Sequence, residues 1–316
     1  MQERAQIGLA TGQVDLASKD LALGFRLARA LESEACVISV LARGAALEPC
    51  LETLWEGMTR HLWSESQLRG FEQELARIDL PDALCSVLEA ERAAVNKTCD
   101  LIRREPREVD KYGDFAAPGA WLVPTGWIYL EQLNYNQELT RLQSAVFAPG
   151  RRFIMATNLD QESERLEKLN ASFAGNPFAL FLAHRFVTSV FSSSEPRGLF
   201  QKVVYAQCGV DLGRVACVLE RYRMARGEYP ETLTGLPPAD LAGLPRDPLS
   251  GELLHYRKKD GQSYLLYSVG WNMVDDGGEP WLKTEGSSAT SSIDRSKKDY
   301  IWTIPGLSAP GGGSAQ

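Results

Sequence analysis

Between residues 16 and 103 apolar side chains recur every three or four positions, the spacing that gathers them along one side of a helix. Leu21, Phe25, Leu27, Ala28 and Leu31 form one such series, and Leu47, Leu51, Leu54 and Met58 a second. Leu68, Phe71, Leu75 and Ile78 form a third, which opens at Ser64 and Gln67 in the pattern of a capping box. Pro49 and Pro81 are expected in first turns, where a missing N–H leaves no bond unmade. A segment rich in Gly, Pro and Trp, REPREVDKYGDFAAPGAWLVPTGW, interrupts the period. Further helices are expected at about 127–146 and 158–170, and SSSEPRG at 192–198 is a polar break suited to a domain boundary.

Beyond that break the pattern changes. Residues 197–226 read as one long amphipathic helix, with Val204, Cys208, Leu212, Val215 and Leu219 on one face. Gly227 suits its C-terminal stop, with Pro230 beyond it, and Pro237-Pro238 introduces a turn or short helix. ELLHYRKKDGQSYLLYSVG carries Asp260-Gly261 between two aliphatic and aromatic runs, a hairpin signal. An acidic loop, a Ser-rich stretch at 286–292 and a short apolar run YIWTIP follow. The expected architecture is multi-domain, α and then α+β. An all-α helical domain covers 1–195, a long helix packed on a small antiparallel sheet covers 196–305, and 306–316 is a disordered tail.

The chain has 316 residues, 44% hydrophobic and 24% charged, enough for two domains that each bury a core. Its net charge of -7 argues against a nucleic-acid partner, which calls for a basic face. No stretch approaches the roughly 18 unbroken apolar residues of a spanning helix. The best run, 176–191, is broken by His184 and Arg185. The N-terminus lacks the basic and then apolar pattern of an export signal, so any membrane attachment is expected through an anchor absent from this chain. Six cysteines occur without a C-x-x-C, which disfavours zinc and thioredoxin-type chemistry. They are expected as buried, reduced thiols on helix faces.

The order of features in the second half carries a resemblance. A long helix ends in LERYRMARGEYPETL; PRDPLSGELLHYR, DGQSYLLYSVG, an Asp/Gly loop and KDYIW follow it. Over about 200–304 this resembles the globular part of the major pseudopilin of type II secretion systems. The resemblance implies a long helix on a three-stranded, pseudopilin-like sheet with a calcium-binding loop, and work outside the cytoplasm. It departs from the family at its start: no leader and no apolar filament helix precede the long helix, so assembly into a pseudopilus by the usual mechanism is not expected. The helical half resembles helical regions of uncharacterised bacterial proteins.

The loop 268–279 offers Asn272, Asp275, Asp276 and Glu279, with Gly270, Gly277 and Gly278 to turn carbonyls inward. The spacing is not that of an EF-hand. The resemblance implies a calcium site at Asn272, Asp275, Asp276 and Asp299, with Asn272 standing where the family has a carboxylate. A structural loop held by Asp caps is the competing expectation. His61 and His184 are expected as helix-packing and core residues, His255 on a sheet face. Asp275 and Asp276 suit a hydrolytic pair poorly, because adjacent loop carboxylates point apart. Trp121, Trp127, Tyr129 and Tyr135 are expected to pin a long loop onto a helical core. The Asn96 and Asn170 glycosylation patterns fall in helical sequence and are taken as chance. The expectation is therefore a non-enzymatic, extracytoplasmic structural or interaction protein with protein partners. Its rival is a hydrolase with a site between the helical domain and the sheet.

Overall fold

The computed structural model describes residues 2–105, 124–148, 153–173, 179, 182–184, 196–278 and 299–304. Among the described residues the chain is mostly helical, with a small three-stranded antiparallel sheet. The helices are α1 (Gln2–Ala10), α2 (Val14–Ala30), α3 (Val37–Thr59), α4 (Glu65–Leu75), α5 (Leu80–Arg104), α6 (Thr125–Val146), α7 (Ala156–Ala171), α8 (Pro196–Arg226) and α9 (Pro238–Ala242). The strands are β1 (His255–Asp260), β2 (Ser263–Ser268) and β3 (Tyr300–Ile304). Two compact units emerge: Met1–Ser33, Ser39–Leu80 and Lys202–Gln316 form the first, Glu34–Ile38 and Pro81–Gln201 the second. Most of the break at 192–198 and the whole tail 306–316 lie outside the described residues.

In the first unit α8 is the central element. From Val203 to Glu220 only Ala206 and Arg214 escape full burial. The amphipathic expectation is thus corrected: α8 is covered on both sides, by helices and by the sheet. Small residues permit this. A Cβ added at Gly209 would lie 3.0 Å from Leu51 of α3 and 3.1 Å from the Tyr300 hydroxyl of β3. One added at Gly213 would sit 3.2 Å from Leu51 and 3.4 Å from Leu75 of α4, and Gly44 of α3 meets Ala206 just as closely. The helix stops where expected: Gly227, with φ +83°, donates its N–H to the Arg223 carbonyl at 2.7 Å.

The N-terminal helices bury most of the expected stripes, but Leu27 is exposed and Leu31 only half-buried. Leu21, Phe25 and Ala28 of α2, Leu47, Leu51, Leu54 and Met58 of α3, and Leu68, Phe71 and Leu75 of α4 are all core. Trp63 fills the join after α3, donating to the Leu54 carbonyl at 3.0 Å and packing edge-on against Phe71. Its ring occupies the place that a side chain at Gly57 would take, within 2.2 Å of an added Cβ. The Ser64–Gln67 capping box is present in both directions. Pro81 lies in the first turn of α5, but Pro49 is interior to α3, contrary to expectation. There the buried stripe on either side, Leu47, Leu51 and Leu54, holds the helix through a position that lacks its own N–H.

The sheet has order β1-β2-β3, and all six residues of β2 are buried. Asp260 faces Ser263 across the Gly261-Gln262 turn, with a bulge before it, so the hairpin is formed where expected. Ser268 faces α8, its Oγ 3.5 Å from Cys208 Sγ, and Tyr264, on the same side of the strand by alternation, packs edge-on at 4.7 Å against Tyr229 just past the helix. Asp247 anchors the preceding turn. Fully buried, it accepts from the amides of Leu249 at 2.8 Å, Ser250 at 3.4 Å and Val269 at 3.1 Å, joining that turn to the end of β2.

The second unit packs α5, α6, α7 and the start of α8. Leu84 and Leu88, Leu139 and Leu142, Leu159 and Leu166, and Phe200 supply its core. Asn96, Gln132 and Asn136 bond one another along α5 and α6, so Asn96 is part of an interhelical amide network. The long loop that the aromatics are expected to pin lies at 106–123, outside the described residues. Trp127 belongs to α6 and packs edge-on against His184, Tyr135 is buried in the core, and Tyr129 is exposed beneath the Arg103 guanidinium at 3.9 Å; Trp121 lies outside the described residues. His184 is a turn residue with φ +54° rather than part of an apolar helix. No disulfide joins the six cysteines, of which Cys85, Cys99, Cys208 and Cys217 are buried.

Candidate functional site

The described part of the acidic loop, 269–278, leaves β2 at Val269, and Asp299 stands at the head of β3. This part of the loop folds over the face of the sheet turned away from α8, where Leu265 and Tyr267 are covered although they point outward. Gly278 makes that approach possible. Its φ is +71°, and an added Cβ would fall 2.6 Å from the Leu265 side chain and 3.1 Å from the Tyr267 ring.

Each proposed ligand has its own surroundings. Asp275 accepts from the Tyr267 hydroxyl and from the Gly277 amide, both at 2.9 Å on Oδ1, while His255 Nδ1 lies 3.2 Å from Oδ2. The Gly277 amide is the largest influence holding the Asp275 carboxyl below the usual range. Burial, then the Asp275 carboxylate, push the Tyr267 phenol up to about 12, so it stays protonated and donates. Asp276 accepts from the Asn272 amide at 3.1 Å, and Asn272 Oδ1 caps the Val274 amide at 3.2 Å. Asp299 is fully buried at the head of β3; its Oδ2 accepts from the Gly278 amide at 2.8 Å, and among the described residues its Oδ1 makes no hydrogen bond. Burial raises its pKa, opposed by the facing amides of Gly278, Asp276 and Gly270.

The loop therefore brings Asn272 and Asp276 together, sets Asp299 against its far end, and turns Asp275 toward the sheet. Among the described residues no three His, Cys, Asp or Glu side chains are grouped so as to hold a metal ion. Glu279 lies outside the described residues. His255 is a sheet-face residue, its ring stacked on Tyr267 at 5.0 Å.

A second polar cluster escaped sequence reasoning. Glu220 of α8 is buried and accepts from the Tyr229 hydroxyl on Oε1. Its Oε2 accepts from Arg223 Nη2 at 3.1 Å and Nε at 3.2 Å, with His61 Nδ1 at 3.3 Å. His61 sits just past α3 with φ +51°, so it joins the helical layer to a buried carboxylate instead of filling a helix face. The only sequence signal was Tyr229 nine residues after Glu220, across the Gly227 stop.

No family model, curated protein or solved structure matches this chain. Among the described residues no helix is long and apolar enough to cross a membrane.

Proposed function

We propose that this chain is a non-enzymatic structural or interaction protein acting outside the cytoplasm, built on a pseudopilin-like C-terminal module related to type II secretion components and stabilised by calcium. The observation that carries the reading is Asp299: a buried carboxylate at the head of β3 that closes the acidic loop through Gly278 and whose Oδ1 makes no hydrogen bond among the described residues. A buried anionic oxygen without a partner is costly, and a hard cation would supply what it lacks. Calcium takes six to eight oxygens from carboxylates, amide carbonyls and backbone carbonyls. Asp299, Asp276 and the Asn272 side chain, with carbonyls of the glycine-rich loop, are the donor types it prefers. Bound there, calcium would neutralise Asp299 and hold the loop against β3.

Support for the module comes from the order of its parts: a long helix ending at Gly227, the Asp247 turn, the hairpin, the loop and a third strand. The face of α8 opposite the sheet is covered by α3 and α4 of the same unit. That arrangement favours a self-contained interaction module over a filament subunit. Fractionation of the full-length product tests the location: an envelope or secreted fraction is expected, and a solely cytosolic pool would overturn it. Titration calorimetry tests the cation, with binding expected in the native chain and lost in Asp299→Asn; no heat of binding in either chain would overturn the calcium assignment.

A further inference from the structure

We propose that Asp275 is a latch and not a ligand: with Tyr267 and His255 it fastens the loop to the outer face of the sheet without any cation, leaving Asp276 and Asp299 as the carboxylate donors. This deepens the calcium reading and rests on it only for the second half of that statement. The latch is built across the β1–β2 register, where His255 stands opposite Tyr267. Their rings stack at 5.0 Å and 21°, making a flat support on the sheet surface. Asp275 comes down on the polar ends of both. Oδ1 takes the phenol and the Gly277 amide, Oδ2 faces the imidazole, and Arg257 reaches from β1 to the Gly277 carbonyl at 3.3 Å.

Both oxygens of Asp275 are thus engaged with the sheet or the loop's own backbone. Recruiting them to a cation would compete with the Tyr267 bond that holds the loop where Gly278 lays it on Leu265 and Tyr267. Asp276, the next residue, is paired with Asn272 instead. Two adjacent carboxylates have therefore taken different tasks, one holding the loop down and one remaining with the amide at its tip. A loop latched in this way presents its oxygen donors already positioned, which lowers the ordering cost of binding.

The test is a double-mutant cycle, Tyr267→Phe and Asp275→Asn, read by thermal melting first in chelator and then in calcium chloride. Asp275 is half exposed and asparagine keeps an acceptor for Gly277, so the variants fold. In chelator each single change is expected to lower the midpoint by about 2–4 °C, and the double variant to fall no further than the worse single. In calcium, Asp275→Asn keeps the native upward shift while Asp299→Asn loses it. Additive losses in chelator would overturn the latch, as would an Asp275→Asn chain that melts normally in chelator yet loses its calcium shift. If calcium does not shift the native protein, the cation reading fails and the chelator cycle alone decides the latch.

Discussion

Tyr229→Phe removes one oxygen from the centre of the first unit. The ring and its edge-on contact with Tyr264 at 4.7 Å remain, so the change isolates the hydroxyl. That hydroxyl donates to Glu220 Oε1, on a side chain only 3% exposed, whereas Arg223 and His61 both address Oε2. Nothing else in the cluster takes over Oε1. A hydrogen bond to a charged group contributes about 1.5–3 kcal/mol, and a buried acceptor left without its donor bears the desolvation cost. A loss of about 2 kcal/mol is expected, read as a lower urea midpoint at unchanged slope by tryptophan fluorescence. Burial, then the Glu220 charge, hold the Tyr229 phenol protonated far above its ordinary range, so the loss should be flat from about pH 6 to 9. In a Glu220→Gln background the same substitution should cost less than half as much. A Tyr229→Phe chain within about 0.5 kcal/mol of native, or an equal loss in both backgrounds, would refute the cluster.

Asp247→Ala withdraws the acceptor of three backbone amides at once, two of them within 3.1 Å; about 3 kcal/mol or more should be lost in the same urea assay. Asp20 of α2 is buried beneath Arg4 of α1, whose guanidinium holds its carboxyl below the usual range. A depressed folded pKa contributes stability that is present above the unfolded value near pH 4 and lost as acid passes through the folded value. Asp20→Asn should therefore flatten the acid limb of stability against pH; the contribution is modest because Arg4 is 61% exposed.

Periodicity made the helices legible, because burying one face imposes a spacing of three and four that survives any context. The capping box at Ser64, the Gly227 stop and the Asp260 hairpin were legible for a similar reason: each is settled within a few residues. What a stripe does not name is its partner. Leu51 and Leu75 announce buried faces, but that both lie against Gly213 of α8 depends on contacts across well over a hundred residues. Ala206, Gly209 and Gly213, spaced by three and four, were the available hint that a helix comes close there. Local bias was overruled at Pro49, where packing on both sides sustains the helix. In the loop the residue types were visible, yet not their division of labour. Asp275 and Asp276 are alike in sequence, and only the sheet register that sets His255 opposite Tyr267 tells them apart.

The central claim is that the acidic loop and Asp299 form a calcium-stabilised site. Thermal melting of the native chain in chelator and across a calcium series to millimolar tests it most directly, because a ligand that binds only the native state must stabilise it. At a hundredfold excess over the dissociation constant the gain is about 2.7 kcal/mol, or about 5–11 °C for a domain of this size. That rise is expected with calcium, saturating, and absent in Asp299→Asn. A midpoint that does not move between chelator and millimolar calcium would contradict it.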